Sequence, residues 1–93
     1  MEIKYTAHLQ WRLQIRSIPY DLPRQILQTS NERYRDLLTH HRIAIQRVKY
    51  SGKLKEVAVS YDQRANFIEV ITVHPIKPAQ KNSRIQSGRW VKI

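Results

Sequence analysis

Ile43-Ala44-Ile45-Gln46-Arg47-Val48-Lys49-Tyr50 and, beyond Ser51-Gly52-Lys53, Leu54-Lys55-Glu56-Val57-Ala58-Val59-Ser60-Tyr61 are the stretches that decide the fold. In the first, Ile43, Ile45, Arg47 and Lys49 alternate with Ala44, Gln46, Val48 and Tyr50. In the second, Val57, Val59 and Tyr61 alternate with Ala58 and Ser60. A period of two places successive side chains on opposite faces of a pleated strand. Ser51-Gly52-Lys53 is short and holds a glycine, as a hairpin connection requires. The two stretches therefore predict an antiparallel pair.

Working outward, Asp62-Gln63-Arg64-Ala65-Asn66 predicts a turn and Phe67–Val73 a strand. That strand is mostly apolar, with Glu69 as its interruption, and is expected at the sheet centre. Tyr34 to Leu38 predicts a short strand, followed by a turn at Thr39-His40-His41. Short connections between consecutive strands give an antiparallel meander of three or four strands.

Before the strands the period is helical. Thr6 is placed to cap a helix through Ala7, Leu9, Leu13 and Ile15, in which Leu9 and Leu13 share a face. Ser17-Ile18-Pro19-Tyr20 breaks it, because Pro19 lacks an amide donor and restrains Ile18. A second helix is predicted from near Asp21, with Pro23 in its first turn and an apolar stripe of Leu22, Ile26 and Leu27. The expected fold is α+β: two N-terminal helices packed on one face of a three- or four-stranded antiparallel sheet, with a basic C-terminal segment, in one domain over residues 1–93. In that segment, His74-Pro75-Ile76-Lys77-Pro78 stops the last strand. Pro78 opens a short helix, Gly88 ends it, and Arg89–Ile93 returns as a terminal strand.

Hydrophobic residues at 41% and charged residues at 26% lie near ordinary globular values and argue against disorder. The chain has no cysteine, which excludes disulfides, thiolate metal sites and cysteine nucleophiles and suits a cytoplasmic protein. Gln10, Arg12, Gln14 and Arg16 interrupt every early apolar run, so neither a signal peptide nor a membrane span is expected.

A net charge of +10 speaks to partners. Lys77, Lys81, Arg84, Arg89 and Lys92 all follow His74, and no acid follows Glu69. Such a tail suits the phosphates of RNA, and it equally suits an acidic protein partner. Nucleotide loops, zinc spacings, calcium loops and serine-nucleophile motifs are missing from the sequence. His40 and His41 are adjacent, would face opposite ways in a strand, and read as solvent-exposed turn residues; no metal and no cofactor is expected.

Cleavage of RNA without a metal needs only a group to take the 2′-hydroxyl proton, positive charge on the phosphorane, and an acid for the 5′-oxygen. Histidine, arginine, lysine and tyrosine suffice. The catalytic candidates are His74, where the apolar strand meets the basic tail, His8 early in the first helix, Arg47 on a sheet face, and Arg84. Lys49, Arg64, Lys77, Lys81 and Arg89 are candidate phosphate contacts, and Trp90 a candidate stacking platform. Each has a structural alternative: Trp90 closing the core, His74 capping a strand, Arg64 facing solvent.

His8 and Arg12 early, Ala44 through Lys55, Val59-Ser60-Tyr61-Asp62, and Ile71-Thr72-Val73-His74-Pro75 closing the last strand resemble the DUF4258 family. That family looks like a relative of RelE/BrnT-type toxins. The resemblance covers most of the chain through short motifs. It implies a small basic ribonuclease of a toxin–antitoxin pair, with helices against an antiparallel sheet. It further implies RNA as substrate, at the ribosome in some members, and a cognate antitoxin as partner. The residues it carries over are Arg47, Arg64, His74, Lys77 and Arg84. The alternatives are a non-catalytic nucleic-acid-binding domain and a protein-interaction module for an acidic partner.

Overall fold

The structure is a computed structural model that describes residues 2–93, Tyr50 by its backbone alone. The alternation placed the Tyr50 side chain beside Val48, which falls outside the described side chains, as does Met1. The element order is β1 (Glu2–Tyr5), α1 (Ala7–Ile15), α2 (Leu22–Thr29), β2 (Glu32–Asp36), β3 (Arg42–Tyr50), β4 (Lys53–Gln63), β5 (Phe67–Pro75), α3 (Pro78–Gln86) and β6 (Trp90–Lys92).

These elements correct the expected architecture. The described residues form a six-stranded mixed sheet in the order β1-β5-β4-β3-β2-β6, with three helices. Two of the differences matter. Glu2–Tyr5 is a strand, paired in parallel with β5 from Glu2 opposite Phe67 to Tyr5 opposite Val70. The pairing joins segments more than sixty positions apart, so no local turn announces it. The other is the place of the expected terminal strand: β6 pairs antiparallel with β2 and brings the sheet to six strands at its far edge. The second strand also sits earlier than expected, at Glu32–Asp36, and Leu37 and Leu38 fall into the turn that follows.

Local signals account for the rest. Thr6 Oγ1 accepts the Leu9 amide at 3.1 Å and caps α1. The β3–β4 hairpin turns through Ser51 and Gly52, both at positive φ, the conformation whose twist matches the strands. Gly88 follows α3 at φ 81, where a side chain would be strained.

The sheet is covered on both faces. On one face Leu9, Leu13, Leu22, Ile26 and Leu27 of α1 and α2 pack against Ala44, Val57, Val59, Tyr61, Val70 and Val73. On the other, Tyr34, Ile43, Ile45, Ala58, Ile76 and Trp90 form a second cluster beneath α3. Leu9 and Ile26 have no exposed surface, and truncating either to alanine costs about 2–5 kcal/mol. α3 itself buries no residue fully. Lys81 supplies the attachment, reaching Glu32 at 3.1 Å and Glu56 at 2.8 Å and so joining α3 to β2 and β4. No helix among the described residues is long and apolar enough to cross a membrane.

Candidate nucleic-acid interface

His74 lies one residue before the end of β5, opposite Ala58 of β4, so its side chain belongs to the face that carries α3. The ring is half-buried. Burial first, then the positive charges of Arg84, Arg16 and Arg12, push its pKa below the ordinary histidine value. An imidazole whose pKa is lowered by burial and by positive charge acting through space is a proton acceptor in a field that favours anions. Arg84 comes from α3, and its guanidinium lies 5.1 Å from the centre of the Trp90 ring. Stacking on an indole holds a guanidinium in place without neutralising it.

Arg12 and Arg16 were not singled out as site residues from sequence. Their spacing of four puts them on one side of α1, which was legible. Their nearness to a histidine on β5 was not, because it depends on how α1 packs.

Beyond Pro75 the same end of the sheet opens into a cleft of about 520 Å³. Its lining includes Arg47 of β3, Leu54 and Glu56 of β4, Pro75, Lys77 and Gln80. Arg47 and Lys77, far apart in sequence, thus share one concavity. Lys77 precedes α3, and its amide donates to Gln80 Oε1 at 3.1 Å, which fixes the first turn of the helix at the cleft rim. Lys49 is exposed on the α3 side of β3, two residues along from Arg47.

The remaining candidates are placed elsewhere or are already engaged. Lys81 is held between two carboxylates. Arg89 forks onto Asp36, with Nε at 3.0 Å from Oδ1 and an Nη at 3.0 Å from Oδ2. Trp90 is 3% exposed, stacks on Tyr34 and donates its indole N–H to Asp36 Oδ2 at 3.1 Å. It is core, and its face is not open to a base. Burial alone would raise the Asp36 pKa, but Arg89, the Thr39 and Leu38 amides and Trp90 outweigh it and hold the carboxyl well below its usual range. His8 is exposed on α1 with its ring 5.8 Å from that of Trp11, on the side of the sheet away from α3. Arg64 lies beyond the opposite end of β4 and pairs with Glu69 at 3.0 Å.

Comparison with known proteins adds no relative. No protein-family model, curated protein or solved structure matches this chain.

Proposed function

We propose that the protein is a cytoplasmic, RNA-directed toxin of a toxin–antitoxin pair that cleaves its substrate by metal-independent attack of the 2′-hydroxyl. The observation that supports this reading is the place of His74, half-buried near the end of β5 on the face that carries α3, where burial and the charges of Arg84, Arg16 and Arg12 lower its pKa. The adjoining cleft contributes Arg47 and Lys77 as contacts for neighbouring phosphates, with Lys49 flanking it.

In this mechanism neutral His74 takes the 2′-hydroxyl proton as the 2′-oxygen attacks the adjacent phosphorus. The new 2′-oxygen–phosphorus bond forms as the bond to the departing 5′-oxygen breaks, giving a 2′,3′-cyclic phosphate and a free 5′-hydroxyl. Arg84 stabilises the extra negative charge of the pentavalent phosphorus, and Arg12 and Arg16 add longer-range positive charge. The proton gained by His74 returns to the 5′-oxygen directly or through water. An arriving phosphate partly cancels the arginine field, so the histidine becomes a stronger base when substrate is bound.

The second reading is a nucleic-acid-binding domain without catalysis. It is favoured by the cleft that brings Arg47 and Lys77 together, while among the described residues His74 is the one histidine at this end of β5, with no second histidine beside it to share the proton transfers. Purified protein incubated with RNA, with and without ribosomes, in EDTA separates the two. Cleavage that leaves cyclic phosphate ends and disappears in His74→Ala supports the toxin. Salt-dependent binding with intact RNA moves the assignment to the binding domain, and neither binding nor cleavage removes both.

A further inference from the structure

A second basic cleft, of about 370 Å³, lies at the opposite end of the sheet, about 14 Å along β4 from the residue that faces His74. It is lined by Arg35, Thr39, His40, His41, Arg42 and Asp62, with Gln63 and Arg64 at its edge.

Its electrostatics are unusual. Arg35 and Arg42 are directly opposed in the β2–β3 ladder, and like charges in that position repel. Among the described residues neither arginine has a carboxylate within ion-pair distance; Arg42 reaches only the Gln63 amide oxygen, at 3.4 Å. The one carboxylate in the cleft is already engaged. Asp62 Oδ1 is 2.7 Å from His41 Nδ1, and its Oδ2 is 3.5 Å from Arg64, which also pairs with Glu69.

The Asp62 contact holds the His41 ring on the sheet face opposite Arg35 and Arg42. The turn that presents these groups is itself fixed, since Asp36 Oδ1 accepts the Leu38 amide at 2.9 Å and the Thr39 amide at 3.2 Å. Arg35 and Arg42, on the face that Tyr61 and Gln63 share, are two forked donors of like charge without a carboxylate partner among the described residues, whereas His41, Asp62 and Arg64 meet on the alternate face. Guanidinium pairs match the tetrahedral oxygens of phosphate.

The geometry points to a phosphate-binding site between Arg35 and Arg42, separate from the His74 cluster. The phosphate belongs either to a free or terminal phosphate or to the backbone of a nucleic-acid strand.

The test follows the Arg35 and Arg42 guanidinium signals by nuclear magnetic resonance, with the His41 imidazole on the alternate face as a control. Inorganic phosphate is one probe and a short oligoribonucleotide without terminal phosphate the other, both at constant ionic strength. Saturable shifts are expected, weakened roughly tenfold in Arg35→Gln or Arg42→Gln, as loss of one charge-assisted hydrogen bond implies. Response to inorganic phosphate assigns a free or terminal phosphate; response to the oligoribonucleotide alone assigns the strand backbone. Arg35→Gln without phosphate should melt no lower than wild type, since it relieves repulsion; a merely structural arginine would lower the melting temperature. His74→Gln should leave the shifts intact, so failure of the cleavage mechanism and failure of this site are distinguishable. No saturable shift with either probe, the same shifts with chloride, or unchanged affinity in a folded Arg35→Gln/Arg42→Gln double variant overturns the site.

Discussion

Lys81 Nζ lies 2.8 Å from Glu56 Oε2, and this contact turns a lysine of a basic tail into a strut between a helix and the sheet. Glu32 completes the bridge at 3.1 Å. The ammonium is largely withdrawn from water; burial alone would lower its pKa, but the two carboxylates outweigh burial and raise it. Positive charge counted along a chain is not the same as positive charge available to a ligand.

Lys81→Ala is expected to destabilise the protein by about 2–4 kcal/mol, because it strands two half-buried carboxylates under α3. Denaturant unfolding gives the size of the loss. RNA affinity, measured where the variant is still folded, should keep the wild-type dependence on salt. A lower salt slope with unchanged stability would mean that Lys81 contacts phosphate after all.

Arg84→Gln should act on both the ligand and the histidine. It removes the first of the three charges that depress the His74 pKa, so that value should move up towards the ordinary one, while burial keeps part of the depression. Imidazole titration by nuclear magnetic resonance reads the shift directly. RNA binding should weaken in the same variant; an unmoved titration would take Arg84 out of the site.

His74 also makes stability depend on pH in a calculable direction. Its folded-state pKa is lowered, so the unfolded chain binds more protons as the pH drops through the window. The stabilisation is complete above the unfolded value of about 6.5 and is lost as pH falls through the folded value. The wild-type minus His74→Gln difference in unfolding free energy should therefore decline as the pH falls below about 6.5. A difference that is flat, or that rises on acidification, contradicts this placement of His74.

Asp36 is the anchor of the other sheet edge, accepting from Arg89, Trp90 and the turn amides. Asp36→Ala should cost about 2–3 kcal/mol, the scale of charge-assisted hydrogen bonds lost with their partners left buried. Trp90 should then become more accessible to a fluorescence quencher, measured in a Trp11→Phe background to remove the exposed indole. Stability from Asp36 is present above the unfolded carboxyl value and lost as pH falls towards its low folded value. Unchanged quenching and unfolding in the variant would show that β6 is held by something else.

The local chemistry of the chain determined α1 with its Thr6 cap, α2 with Pro23 near its start, the β3–β4 hairpin and the short helix opened by Pro78. Caps, prolines and hydrophobic period act within a few residues, so each is visible in a short window. The faces of β3 and β4 were legible too, including Arg47 on the side of Ile43 and Ile45. Tertiary structure alone decided the parallel β1–β5 pairing, the closure of β6 on β2, and the burial of Trp90 on Tyr34. It also decided which basic groups remain open to an anion: Arg84 and Arg47 do, whereas Lys81 and Arg89 meet Glu56 and Asp36. These outcomes turn on contacts between residues distant in sequence, and charge pairing at that range follows the packing of the chain rather than its order.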